Sequence, residues 1–165
     1  MKTARIIAVL LLTAGTLVAQ SAGDKSFEMM KSLVGDWQGK SPMGDTVVVT
    51  YRLTAGGSAL ISEIQGEAKG KSEDMVSMIH LDGGRVLLTH YCAAGNQPRM
   101  TATASADGKS VKFDFLDATN LVSPESGHMH SVVFTFTDAH HHSEEWYFLD
   151  HGKEMVERFE LEKKS

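Results

Sequence analysis

Gly35-Asp36-Trp37 and the run that follows it, Thr46-Val47-Val48-Val49-Thr50-Tyr51-Arg52-Leu53, decide the fold. Ahead of Gly35, Phe27, Met30, Leu33 and Val34 recur at helical spacing. With Asp24 or Ser26 as a cap, they predict one short helix that Gly35 ends. Beyond Trp37 the period becomes two. Val47, Val49, Tyr51 and Leu53 alternate with Thr46, Val48, Thr50 and Arg52. Val111, Phe113 and Phe115 alternate with Lys112 and Asp114, and Val132, Phe134 and Phe136 with Ser131, Val133 and Thr135. Alternation of this kind is the mark of strands with one face in a core. Turn signals at 43–45, 55–58, 82–84, 107–109 and 150–153 punctuate the pattern. Gly, Asp and His at such positions supply the positive φ that tight hairpins need. About ten strands are predicted, starting near 36, 46, 59, 75, 85, 99, 110, 128, 143 and 154. The expected fold is all-β: a single up-and-down antiparallel barrel with a short N-terminal helix.

The first 22 residues stand apart. Lys2 and Arg5 precede the apolar run Ile6 to Val18, and small residues follow at Ala19, Ser21 and Ala22. This is the layout of a signal peptide, so residues 1–22 are expected to be removed on export and 23–165 to form one domain. The run is shorter than the roughly 20 apolar residues a membrane span needs. Net charge is −5 with acids and bases interleaved, which leaves no electrostatic footprint for nucleic acid and no polybasic patch for lipid. Cys92 is the only cysteine. An exported chain with one cysteine has no internal disulfide, so burial must hold the fold.

A Gly-x-Trp motif on the first strand after a short helix, with an Arg near the end of the last strand, resembles the calycin superfamily of lipocalins, fatty-acid-binding proteins and nitrobindin-like barrels. The resemblance implies that Trp37 closes one end of the barrel and that a late Arg packs on it. The matching residues are Gly35, Trp37 and Arg158, and the contact would be a cation–π pair. Because Phe159 and Leu161 share the apolar parity, Arg158 would need a bulge or an outer position to reach Trp37. Some nitrobindin-like barrels bind haem through a histidine, but their ligand motif is not matched residue by residue here.

An antiparallel meander sends alternate connections to opposite ends. The helix, Trp37 and mostly tight turns fall at one end. The connections 68–74, 93–98 and 117–127 fall at the other, which is therefore the expected mouth. His90, Asn96, Arg99, His128 and His130 gather there as candidate ligand contacts, Arg99 being suited to a carboxylate. Phe113, Phe115, Phe134, Phe136, Met78 and Leu88 are expected as the apolar wall. His90, His128 and His130 share inward parity and are the candidates for a transition metal or a haem iron, although no compact metal motif is present and no cofactor is predicted. His140, His141 and His142 sit in the opposite turn, are expected to be solvated, and cannot converge, because successive strand residues point to opposite sides. Glu144 shares a face with Trp146 and Phe148. As an inward carboxylate it needs a partner, for which Arg52 or Arg99 is available. Cys92 and His90 lie on one face about 7 Å apart at Cβ, too far for direct activation of a thiol. The leading expectation is an exported, non-catalytic binder of a small, mainly apolar ligand. The alternatives are a haem- or metal-containing barrel with redox or hydrolytic activity, and a structural envelope protein with a filled barrel.

Overall fold

The alternation that begins after Trp37 closes on itself. The computed structural model describes residues 21–42, 44–68 and 71–165, so the expected signal peptide lies, except for Ser21 and Ala22, outside the described residues. Helix α1 (Ala22–Lys31) is followed by β1 (Gly35–Lys40), β2 (Thr46–Thr54), β3 (Ala59–Ala68), β4 (Lys71–Asp82) and β5 (Arg85–Tyr91). Then come β6 (Gln97–Ala104), β7 (Ser110–Thr119), β8 (His128–Phe136), β9 (His141–Asp150) and β10 (Lys153–Lys163). Each strand pairs antiparallel with the next, and β10 returns to β1 to close the barrel. The turn at the β9–β10 hairpin carries positive φ at both His151 (46°) and Gly152 (75°), the geometry that matches strand twist in a two-residue hairpin.

α1 starts where Ser21 and Asp24 exchange hydrogen bonds in a capping box, which satisfies two N-terminal donors at once. Its apolar face carries Phe27 and Met30, and with Leu33 just beyond the helix these are at most 2% exposed. They plug the barrel end formed by the short turns, where the helix meets β4, β5, β6 and β7. Each such side chain contributes about 1.5–3 kcal/mol on burial, so the plug is a large part of what seals this end. The opposite end gathers the turns at 41–45 and 92–96 and the longest connection, 120–127. The expected mouth loop 68–74 is not a long loop: β3 runs to Ala68 and β4 begins at Lys71.

Trp37 is 1% exposed and donates its indole N–H to the Leu33 carbonyl at 2.6 Å. The cation over its ring is Lys163, 5.3 Å from the centroid. The expected partner, Arg158, stands on the outer face of β10 opposite Glu145 and is paired with Glu145 and Glu160. The reason is parity: Phe159 and Leu161 are the buried residues of that stretch. Gly39 allows β1 to lie close to β10, since a Cβ there would fall 2.0 Å from the Glu160 carbonyl oxygen. Lys163→Ala is expected to cost about 0.5–1 kcal/mol in urea unfolding, the worth of a cation–π contact at a part-exposed site. Arg158→Ala is expected to leave the Trp37 emission spectrum unchanged.

Candidate functional site

Polar residues interrupt the apolar interior at one level. Tyr51 lies opposite Ser62, Ser62 opposite Ser77, and Ser77 opposite His90, on four consecutive strands from β2 to β5. Directly opposed residues share a face, so these four form a belt around the inner wall. Across the barrel, β9 supplies His142, Glu144 and Trp146. The Glu144 carboxylate is fully buried and accepts from three donors: the Tyr51 hydroxyl, the Trp146 indole N–H at 2.8 Å and His142 Nε2–H at 3.2 Å. Burial first, and then the negative charge of Glu144, holds the Tyr51 phenol well above the ordinary tyrosine value, so it stays a donor. On the far side His90 Nδ1 is 2.9 Å from Ser77 Oγ, and its ring lies tilted on Trp146 with centroids 4.8 Å apart. Burial pushes the His90 pKa down to about 4, against a smaller upward pull from Glu144. At neutral pH that imidazole carries no charge.

The belt corrects two expectations. Arg52 and Arg99 do not reach Glu144: Arg52 pairs with Glu63 and Arg99 with Asp117, both with exposed side chains. His142 is not solvated. It is 2% exposed, edge-on to Trp37 at 4.3 Å, whereas His141 stays outside on Asp138.

Towards the closed end the barrel is solid. Ile79, Leu88, Met100, Val111, Phe113 and Phe134 are at most 1% exposed. Towards the long loops the packing loosens. Phe115, Phe148, Met75, Met129 and Met155 are only part-buried or exposed. The expected wall is thus redistributed. Phe113, Phe134 and Leu88 are core, Phe136 lies beside α1, and Met78 faces outward, opposite Thr89. Phe115 stays at the mouth.

Of the five expected ligand contacts, Asn96, His128 and His130 lie there, His90 sits deeper in the belt against Trp146, and Arg99 leaves. Asn96 is 4% exposed and donates its amide to the Gly127 carbonyl at 2.8 Å. His128, also 4% exposed, has Nδ1 2.7 Å from the Ser126 carbonyl. His128 and His130 both pack on Phe115, at 4.8 and 5.8 Å between centroids. The β8–β9 register places Thr135 opposite Ser143, and it slips between Met129 and Ser131. The bulge breaks the single inward face expected for His128, His130 and Val132, because a bulge re-aims the side chains beside it. Arg99 is the departure: it stands outside, its Nε 2.6 Å from Asp117, with the guanidinium holding the Asp117 carboxyl below its usual range. A second bulge, between Arg99 and Met100, keeps this ion pair in register.

Among the described residues no three or more His, Cys, Asp or Glu side chains are placed to hold one metal ion. Of the three candidate metal or haem ligands, His90 and His128 are buried and His130 is part-exposed. Cys92 is half-buried in the 92–96 turn. Two surface grooves flank α1 at the other end. One, of about 450 Å³, is lined by Phe27, Glu28, Lys31, His80 and Leu81, and the other, of about 370 Å³, by Lys25, Met29, Gly108 and Phe136. Both are open and rimmed by charge.

The same barrel exists elsewhere. The chain is similar to the crystal structure of Rv2717c from M. tuberculosis, with a TM-score of 0.64 and 15% identity over 85% of this chain and 98% of that one. It is also similar to a protein of unknown function of the DUF3598 family from Nostoc punctiforme, with a TM-score of 0.53 and 11% identity. That match covers 82% of this chain but only 48% of the other, so the chain spans about half the length of that protein. Identity this low establishes the fold alone. No family model matches the sequence, and no curated protein does.

Sequence reasoning passed over Tyr51, Ser62 and Ser77 and misplaced His142. The signal was present: Ser62 falls between Leu60 and Ile64, and Ser77 between Met75 and Ile79, each a polar residue at an inward position. Polar residues on a core-facing parity must find partners or a ligand.

Proposed function

We propose that the chain is an exported barrel that takes a small, mainly apolar ligand at its long-loop end and performs no catalysis. One observation carries this reading: the inner surface between the polar belt and the mouth is aromatic and methionine-rich, yet left part-exposed, while the other half of the same barrel is packed solid. Apolar surface of this kind gains about 25 cal/mol per Å² when a ligand covers it, before the costs of binding. Methionines adapt to the shape of what they cover. Belt residues would form the floor, and Asn96, His128 and His130 would meet the ligand's polar end. Export is supported by the charged, apolar and small-residue pattern of residues 1–22.

Native mass spectrometry with elemental analysis, on protein purified from its own exported compartment, tests this. The expected result is a metal-free protein carrying an organic adduct that His130→Ala weakens. A haem or metal mass that disappears in His130→Ala would replace this reading with the redox or hydrolytic one.

A further inference from the structure

The unsatisfied polar atoms of the interior are unequal in kind. Asn96 spends its amide N–H on Gly127, so the buried atom left without a partner is the acceptor, Oδ1. His142 Nε2 faces Glu144 and its Nδ1 is buried without a partner, but this ring lies edge-on to Trp37 at the closed end, away from the mouth. His128 gives Nδ1–H to the Ser126 carbonyl, which accepts only, so its Nε2 also carries a lone pair. Glu144, deeper in the barrel than Asn96 and His128, adds a fully buried carboxylate. His130 Nδ1 and His90 Nε2 are buried without partners as well, and either tautomer is open to them. No guanidinium balances this set, because Arg99 and Arg52 stand outside on Asp117 and Glu63. Among the described residues, the lysine on the inward parity of β10 near the mouth, Lys153, is at the exposed rim.

We infer that the mouth selects a ligand whose polar end is an uncharged hydrogen-bond donor, a hydroxyl on an apolar body, and rejects the carboxylate of the same chain length. This rests on the binding reading above. A hydroxyl gives its proton to His128 Nε2 or to Asn96 Oδ1, and the second pairing satisfies an acceptor that is otherwise buried alone. A carboxylate has no proton to give. It would bury its charge beside acceptors, with no proton to pair them.

The test is displacement of the neutral fluorescent probe N-phenyl-1-naphthylamine from the full exported chain, at about pH 8, above the ordinary range of histidine. The competitors are 1-decanol and decanoate. The expected result is that decanol competes at least about tenfold more strongly than decanoate, the scale set by one unpaired buried polar group. In Asn96→Leu combined with His128→Phe the ratio should fall to within about threefold. Decanoate competing as well as decanol, or a ratio unchanged in the double variant, would overturn the inference and leave the binder standing. A wild-type protein that binds neither the probe nor either competitor would overturn the binding reading itself.

Discussion

Replacing Glu144 with alanine is expected to destabilise the barrel by on the order of 3–5 kcal/mol, a large share of the stability of a domain this size. The carboxylate is fully buried and holds the Tyr51 hydroxyl, the Trp146 indole and the His142 ring together. Its removal strands three donors in a dry interior, each costing about 1–3 kcal/mol if it finds no substitute, and leaves a cavity between β2 and β9. The effect should be graded. Glu144→Gln keeps the volume and one acceptor, so it should lose less than Glu144→Ala. Tyr51→Phe removes one donor together with the charge-assisted bond it makes, and should cost about 1.5–3 kcal/mol. Urea unfolding of the three variants checks the order. A loss below about 1 kcal/mol for Glu144→Ala would mean that the belt is not a structural unit.

The second large effect is a dependence on acid. His90 is buried neutral, with its pKa lowered from 6.5 to about 4, while the unfolded chain protonates it near the ordinary value. Between these two values the unfolded state binds the extra proton, so stability falls as pH falls. The contribution is complete above about pH 6.5, shrinks across the window and is gone below about pH 4. At about 1.4 kcal/mol per pKa unit, the difference amounts to roughly 3 kcal/mol. His90→Phe keeps a ring against Trp146 and removes the titration. Its stability should therefore be flatter than wild type between about pH 6.5 and 4, measured by urea unfolding at matched pH. The carboxyls of Asp107, Asp117 and Asp138, held low by hydrogen bonds and ion pairs, act mainly below that window. Parallel curves for wild type and variant would show that His90 does not carry the sensitivity.

The architecture was legible because its signals are local. Period-two runs such as Val111-Lys112-Phe113 and glycine-bearing turns such as Asp82-Gly83-Gly84 fix strands and hairpins within a few residues of each other, and alternation assigned the helix and the long loops to opposite ends. Pairing across the barrel is not local. Tyr51 and Glu144 lie 93 residues apart, and nothing near either one announces the other. Glu144 was visible as an inward carboxylate, but its partners are a phenol, an indole and an imidazole rather than the arginine that charge alone suggests. The bulges after Met129 and Arg99 were also missed, although Pro98 stands beside the second, and they decide where His128 and Asp117 go. Parity did succeed where it was followed strictly. It placed Arg158 outside, away from Trp37, as the inward-facing Phe159 and Leu161 require.

The account's central claim is the place of binding, and a ¹H–¹⁵N correlation titration with N-phenyl-1-naphthylamine tests it most directly. The expected shifts cluster on Met75, His90, Asn96, Phe115, His128, His130 and Phe148, with the α1 end silent. Shifts confined to Phe27, Lys31, His80 and Leu81, around the groove beside α1, with the mouth unmoved, would contradict it.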